Sequence, residues 1–441
     1  MTITRLVADY LVPGEGDGRV ITAAALDIGP DGRIIRVGTH HELEVAHNAT
    51  DPDEVVETLN LGGVLMPGLV NTHAHTPMTL VRSVGDGMPL QQWLTDAVWP
   101  LERNMGYEAV RAAMRLGSVE MLSSGVTTSC EMYLHEDAVA DAVAETGARL
   151  VMTPAVIAGL GSDDNVEARI NEIIDFRHRR HQPSQKISVG FAPHSLYNLS
   201  PSQVAEVAQA ACGVGALLHL HLEETEAERH EIMGRWGATA TQLLARYGVL
   251  EAKVLAAHGV WLDRNDMKLL AEAGASVAHC PQSNLKLGSG IARIGALIES
   301  GVNIGVGTDG PASNDDLDLW EEMKLAPLLA RGVNHDPTLM SAADALNLAT
   351  RSGAQAVGLD DVGELKAGFW ADVIRVDLDV PVFTPVSHET LLTALVFAGS
   401  GRYVTDVWVG GDRVVNSSMV STIDIDAAMS DAARASIDLR Q

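Results

Sequence analysis

Between residues 64 and 308 the chain alternates short apolar runs with helix-period segments, and eight such runs can be counted. They are Val64–Thr72, Val126–Met132, Leu150–Ile157, Ile187–Ala192, Ala216–His221, Val254–His258, Ser276–His279 and Val302–Thr308. Helical patterns lie between them, among them Glu108–Leu122, Val166–His178, Pro201–Ala211, Ala238–Tyr247 and Arg264–Ala273. Strands that alternate with helices pair in parallel, and eight of them over roughly 250–300 residues suggest a ring. The expected fold is therefore α/β, a (β/α)8 TIM-like barrel over residues 63–361.

The flanks have a different texture. Ala24–Ile28, Pro30-Asp31-Gly32 and Arg33–Val37 read as a hairpin, since Asp-Gly readily adopts hairpin turns. Val404–Val409, Gly410-Gly411-Asp412 and Arg413–Val415 read as a second hairpin, with Asp372–Asp377 as another strand. Residues 1–62 and 362–420 are expected to meet as one small β-sandwich domain formed from both chain ends. Asp424–Leu439 reads as an amphipathic helix that closes the chain, within 421–441. A 441-residue chain that is 46% hydrophobic can supply a core for both parts.

Barrel active sites sit at the C-terminal ends of the strands, and the polar residues of this chain fall there. His73 and His75 follow Val64-Leu65-Met66, and on a strand two residues apart they face the same way. Alone, such a pair reads equally well as two solvated histidines. His221 ends the fifth run, with His219 one layer deeper and Glu224 three residues beyond. That spacing can set a general base beside a metal ligand, although one buried histidine is more often a hydrogen-bonded core residue. His258 and His279 end the sixth and seventh runs. Asp309 ends the eighth, where Asp-Gly is also ordinary turn chemistry. The coincidence on one rim is what argues for a site. Three imidazoles and a carboxylate with room for water suit Zn2+, with Fe2+ and Mn2+ as alternatives.

Composition excludes some partners. Lys plus Arg is 31 and Asp plus Glu is 58, so the net charge is 31 − 58 = −27. Such a surface repels phosphate backbones and anionic lipid, so neither nucleic acid nor membrane is expected as a partner. No window approaches the roughly 18 apolar residues of a membrane helix. Residues 1–9 carry no signal-peptide pattern. Cys130, Cys212 and Cys280 form no CxxC and read as reduced thiols of a cytoplasmic protein.

At this point the chain resembles the amidohydrolase superfamily, and more narrowly the S-adenosylhomocysteine / 5′-methylthioadenosine deaminases. The resemblance covers nearly the whole chain. It rests on Pro67-Gly-Leu-Val-Asn-Thr-His-Ala-His75, Ala192-Pro-His-Ser195, His221-Leu-Glu-Glu-Thr225, Ala257-His-Gly259, His279-Cys-Pro-Gln-Ser-Asn284 and Gly307-Thr-Asp-Gly-Pro-Ala-Ser-Asn314. It implies that His73, His75, His221 and Asp309 hold one divalent metal ion. It implies further that Glu224 shuttles protons, His258 orients a water, Asp309 relays a proton and His279 contacts the base. Glu102 would bind ribose hydroxyls, and His194 would sit near the sugar or its 5′ substituent. Trp93 would pack the pocket lid, although plain core packing is an equal reading. Members are commonly homo-oligomers, and the resemblance implies the same here.

Lys186 stands only at the start of the fourth run, where binuclear relatives carry a carboxylated lysine further along; one metal ion is therefore favoured. Pro154 stands where some deaminases of the family carry an arginine that helps hold the substrate, which leaves the exact substrate open. The expected reaction is hydrolytic deamination of an adenosine-type nucleoside to the inosyl product. The competing readings are an s-triazine or related heterocycle hydrolase, and a barrel that has lost catalysis and serves as a binding scaffold.

Overall fold

The computed structural model describes residues 2–50, 55–158 and 165–440; positions 1, 51–54, 159–164 and 441, which the expected segments also span, lie outside the described residues. In chain order the strands begin with Thr2–Leu11 (β1), Ile21–Ile28 (β2), Ile34–Thr39 (β3), Val55–Asn60 (β4) and Val64–Pro67 (β5). The barrel strands are Leu69–Ala74 (β6), Val126–Tyr133 (β7), Arg149–Val156 (β8), the pair Ile187–Val189 (β9) and Ala192–Pro193 (β10), Leu217–Leu222 (β11), Lys253–His258 (β12), Ser276–His279 (β13) and Asn303–Val306 (β14). Val373–Val376 (β15), Val404–Val409 (β16), Asp412–Asn416 (β17) and Met419–Val420 (β18) end the series.

Strands β6 to β10 form one parallel ladder and β11 to β14 a second. Single parallel bridges join them at both seams. Phe191 pairs with Leu218, and Ala74 pairs with Asp309. The eight strand positions thus close into the (β/α)8 barrel. Strands β6, β7, β8 and β11 are buried along their whole length, as parallel strands covered by helices on one face and a packed interior on the other must be.

One expectation is corrected. The apolar run Val64–Thr72 is two strands, not one. Strand β5 pairs with β1 and β15 in the sheet outside the barrel, and only β6 enters the ring. The break is Gly68. A Cβ there would lie 2.2 Å from Thr127 Oγ1, so only glycine lets the chain cross at this point. The fourth barrel position is likewise split, because Gly190 and Phe191 interrupt the apolar run between β9 and β10.

The two chain ends meet in one nine-stranded sheet, ordered β18-β17-β16-β15-β5-β1-β2-β3, with β4 beside β1. Both expected hairpins are present as antiparallel pairs, β2 with β3 and β16 with β17. The sheet packs around Leu6, Leu26, Ile34, Leu65, Val373 and Trp408, contributed by both ends. It is tied to the barrel by Arg149 of β8. Its guanidinium grips Asp372 through two bonds of 2.8 and 2.9 Å, both side chains being almost fully buried. The closing helix Ile425–Asp438 lies against the barrel side, where Ser436 Oγ donates to Leu80 O and Arg115 pairs with Asp431. Among the described residues no helix is long and apolar enough to cross a membrane.

Candidate active site

The C-terminal ends of the barrel strands converge on a solvent-open cavity lined by His75, Trp93, Glu102, Tyr133, His194 and Glu224, among others. His73 is on β6 and His75 just beyond it, His221 is on β11, and His258 ends β12. Asp309 is set beside β6 because its N–H donates to His73 O at 2.9 Å. Ligand atoms of His73, His221, His258 and Asp309 all lie within 4.8 Å of one another. His75 joins them, its Nε2 being 3.2 Å from His221 Nε2 and 3.4 Å from Asp309 Oδ1. Glu223, His258 and Asp309 have φ of 52°, 73° and 61°, a left-handed conformation that non-glycine residues rarely adopt. Such strain collects where surrounding structure over-determines the backbone, as at functional sites.

The outward hydrogen bonds of the imidazoles assign their tautomers. His75 Nδ1 is 2.6 Å from Met132 O, and His221 Nδ1 is 3.0 Å from His194 O. A carbonyl only accepts, so both Nδ1 atoms carry the proton and both Nε2 atoms present lone pairs inward. His73 Nδ1 meets His219 Nε2 at 2.8 Å. His219 Nδ1 in turn lies 3.0 Å from Thr153 Oγ1, whose hydroxyl donates to Glu131 O. The chain of donors therefore runs outward and leaves the His73 Nε2 lone pair facing the cavity. His258 Nδ1 donates to Asn284 Oδ1 at 2.9 Å, with the same result.

This donor set fits a divalent cation. The Nε2 lone pairs of His75 and His221 face one another with no proton between them in these tautomers. His73 Nε2 is buried without a hydrogen-bond partner, although Asp309 Oδ1 is only 3.3 Å away. Asp309 Oδ2 is held by Ser283 Oγ and Ser313 Oγ at 2.6 and 2.9 Å, which aims Oδ1 inward. Hydrogen bonds of this kind to the far atoms of ligands are what orient them for a metal. Burial keeps His73 and His221 neutral, as ligands must be: His73 is pushed down to about 4 and His221 well below its ordinary value. Burial alone would raise Asp309, but His73 and its neighbours hold the carboxyl well below the usual range.

Glu224 lies on the loop after β11, almost fully buried, with Oε2 at 3.8 Å from His258 Nε2. Burial, and then the Asp309 charge, raise its carboxyl well above the usual value. Its loop is clamped from behind. Glu228 accepts from the N–H groups of Glu224 and Glu223 at 2.7 and 3.3 Å. Glu223 turns away from the cavity to Arg229, which also binds Asp263 and Asp266.

Of the nucleoside contacts the resemblance implies, Glu102, His194 and Trp93 line the cavity and His279 does not; Pro154, at the position of the family arginine, does not line it either. Trp93 is anchored by Nε1 to Val84 O at 2.8 Å. Glu102 ends the helix Trp99–Glu102, and Tyr133 donates to its Oε1 at 2.6 Å. His194 stacks obliquely on His221, with ring centroids 4.5 Å apart. His279 is buried, and burial lowers its imidazole to about 3. Lys186 bonds Asp412, on the sheet formed by the chain ends.

Sequence reasoning missed Tyr133, Asn284, Ser283, Ser313 and Glu228, and also Glu131, whose carboxylate accepts from Thr76 N and Oγ1 next to His75 at 2.9 and 2.6 Å. Asn284, Ser283 and Ser313 lie inside the quoted motifs, so a signal was available for them. Tyr133 and Glu131 sit on β7 in no pattern of their own.

Residues 64–414 match the amidohydrolase family model, and with the barrel and its histidine–aspartate rim this sets the class: the chain belongs to the amidohydrolase family. Within it, the chain is 36% identical over 415 residues to a 5-methylthioadenosine/S-adenosylhomocysteine deaminase of Bacillus cytotoxicus, spanning 92% of this chain and 94% of that one. An adenosine deaminase of Xanthomonas campestris, solved with bound zinc, superposes with a TM-score of 0.91 at 34% identity, covering 99% of this chain and 98% of that one. An atrazine chlorohydrolase of Arthrobacter aurescens, also solved with zinc, superposes with a TM-score of 0.88 over 99% and 100% of the two chains. At 22% identity that likeness is one of fold alone.

Proposed function

We propose that this chain is a hydrolytic deaminase of adenosine-type nucleosides, turning S-adenosylhomocysteine, 5′-methylthioadenosine or adenosine into the inosyl product and ammonia. The observation that carries this reading is the buried Glu224 carboxyl beside the inward-facing imidazoles, on the floor of a cavity whose wall presents Glu102. In this reading His73, His75, His221 and Asp309 hold one divalent ion, Zn2+ by the chemistry of the donors. When bound, such an ion makes a water nucleophilic at neutral pH.

The rest falls to the chain's own residues. His258 orients the water, its ring fixed by Asn284. Glu224, neutral through burial, gives a proton to the ring nitrogen beside the amine-bearing carbon as the water adds there. Of the water's two protons, one restores Glu224 and the other passes through Asp309 and Glu224 to the amine, which leaves as ammonia. Glu102 keeps Oε2 for a ribose hydroxyl, since Tyr133 occupies Oε1. His194 stands beside the sugar, and Trp93 packs the lid. We further infer a cytoplasmic homo-oligomer, a reading supported by three free cysteines and by the family resemblance.

Ammonia and halide release across adenosine, guanine and a chloro-s-triazine tests the function. Ammonia from adenosine is the expected result. Turnover of the triazine alone would establish the heterocycle-hydrolase reading instead, and no turnover of any substrate by metal-loaded protein would favour a non-catalytic scaffold.

A further inference from the structure

Beyond Glu102 and the histidine–aspartate centre, Leu90, Leu94, Met105, Leu134, Ala155 and Ile157 give the cavity wall apolar stretches, interrupted by Tyr133 and Tyr197 and by two imidazoles. Among the described residues no lysine or arginine lines it. Its acidic side chains are Glu102, Glu224 and Asp309. The bases on the wall away from the centre are the imidazoles of His194 and His135, neither a permanent cation. Arg169 does reach the end of β8, where Nε donates to Ala155 O at 3.1 Å. Its other nitrogens are committed to both carboxylate oxygens of Glu136 and to Glu172, at 2.9 to 3.0 Å.

We propose that this cavity selects nucleosides whose 5′ substituent is short and uncharged, and rejects the amino-acid arm of S-adenosylhomocysteine. The inference rests on the nucleoside-deaminase reading and narrows it. A methylthio or methyl group gains contact with leucine, isoleucine and methionine side chains, and loses little hydration on entering. A homocysteine arm brings an ammonium and a carboxylate, and the carboxylate would meet no lysine or arginine on this wall. A hydrogen bond to a charged group is worth about 1.5–3 kcal/mol, so lacking it costs roughly 10- to 150-fold in the specificity constant.

The test compares kcat/KM of the metal-loaded protein for 5′-methylthioadenosine, 5′-deoxyadenosine and S-adenosylhomocysteine. The first two are expected to exceed the third by about 100-fold. A preference below about tenfold overturns the inference while leaving the deaminase reading intact. Ammonia from none of the three overturns both. Placing a cation on the wall, by Ile157→Arg or separately by Leu134→Lys, is expected to raise the ratio of S-adenosylhomocysteine to 5′-methylthioadenosine turnover at least tenfold. An unchanged ratio in both folded variants counts against the inference.

Discussion

Glu224 and His279 are both buried titratable groups, yet they have different consequences. Glu224 faces the cavity, and its proton has somewhere to go. Glu224→Gln keeps the shape and the hydrogen-bonding capacity but cannot exchange a proton. Turnover should fall by about 10²–10⁴-fold while metal content stays unchanged, as paired kinetics and metal analysis would show. His279 does not line that cavity, so its cost appears in stability. Burial lowers its pKa to about 3 from an ordinary 6.5. Its contribution is therefore intact above pH 6.5 and is lost as pH falls towards 3, because only the unfolded chain gains the proton there. At about pH 5 the loss is about 2 kcal/mol. Denaturant unfolding of the chelated protein at neutral and acid pH should show this sensitivity, reduced by that amount in His279→Gln. The histidines proposed as ligands and Glu224 were legible in the sequence because each ends an apolar run or follows one closely. Tyr133 and Glu131 were not, because one phenol and one carboxylate on a strand have no signature until the register of β7 is known.

Among the elements, the seam between β14 and β6 matters most to the site. Gly307 packs against the backbone of His73, where a Cβ would lie 2.8 Å from His73 N and 2.9 Å from His73 O. No side chain yields there, so Gly307→Ala must push β6 away from Asp309. Metal affinity should weaken about 10- to 100-fold, the size of effect seen when ligand-supporting contacts are lost. A zinc competition titration would measure it, and affinity equal to that of the unsubstituted protein would show the seam to be more compliant than its packing implies. Strand positions were readable from hydrophobic runs. Their ends were readable only where a break had a residue cause visible in one dimension. The crossing of Gly68 past Thr127 divides one apolar run between two sheets, and it depends on a contact between segments far apart in sequence.

At the scale of the whole molecule, the sheet formed from both chain ends is pinned to the barrel through Arg149 and Asp372. Asp372 Oδ1 also accepts from Gly410 N at 2.6 Å, so this carboxylate joins β8, β15 and the β16–β17 turn. Arg149→Ala would leave it buried and unpaired, at a cost of about 3–5 kcal/mol. A lower denaturation midpoint is the expected reading; an unchanged midpoint would mean that the sheet is held by apolar packing alone. The arrangement keeps the chain ends on the barrel flank and leaves the cavity open at the rim. The most direct measurement is ammonia release from 5′-methylthioadenosine by the purified protein, with the nucleoside product identified by mass spectrometry, before and after chelation and after zinc is restored. The expected result is one ammonia per inosyl product, abolished by chelation and recovered with zinc. Metal-loaded, folded protein that releases no ammonia, or turnover that survives complete metal removal, would contradict it.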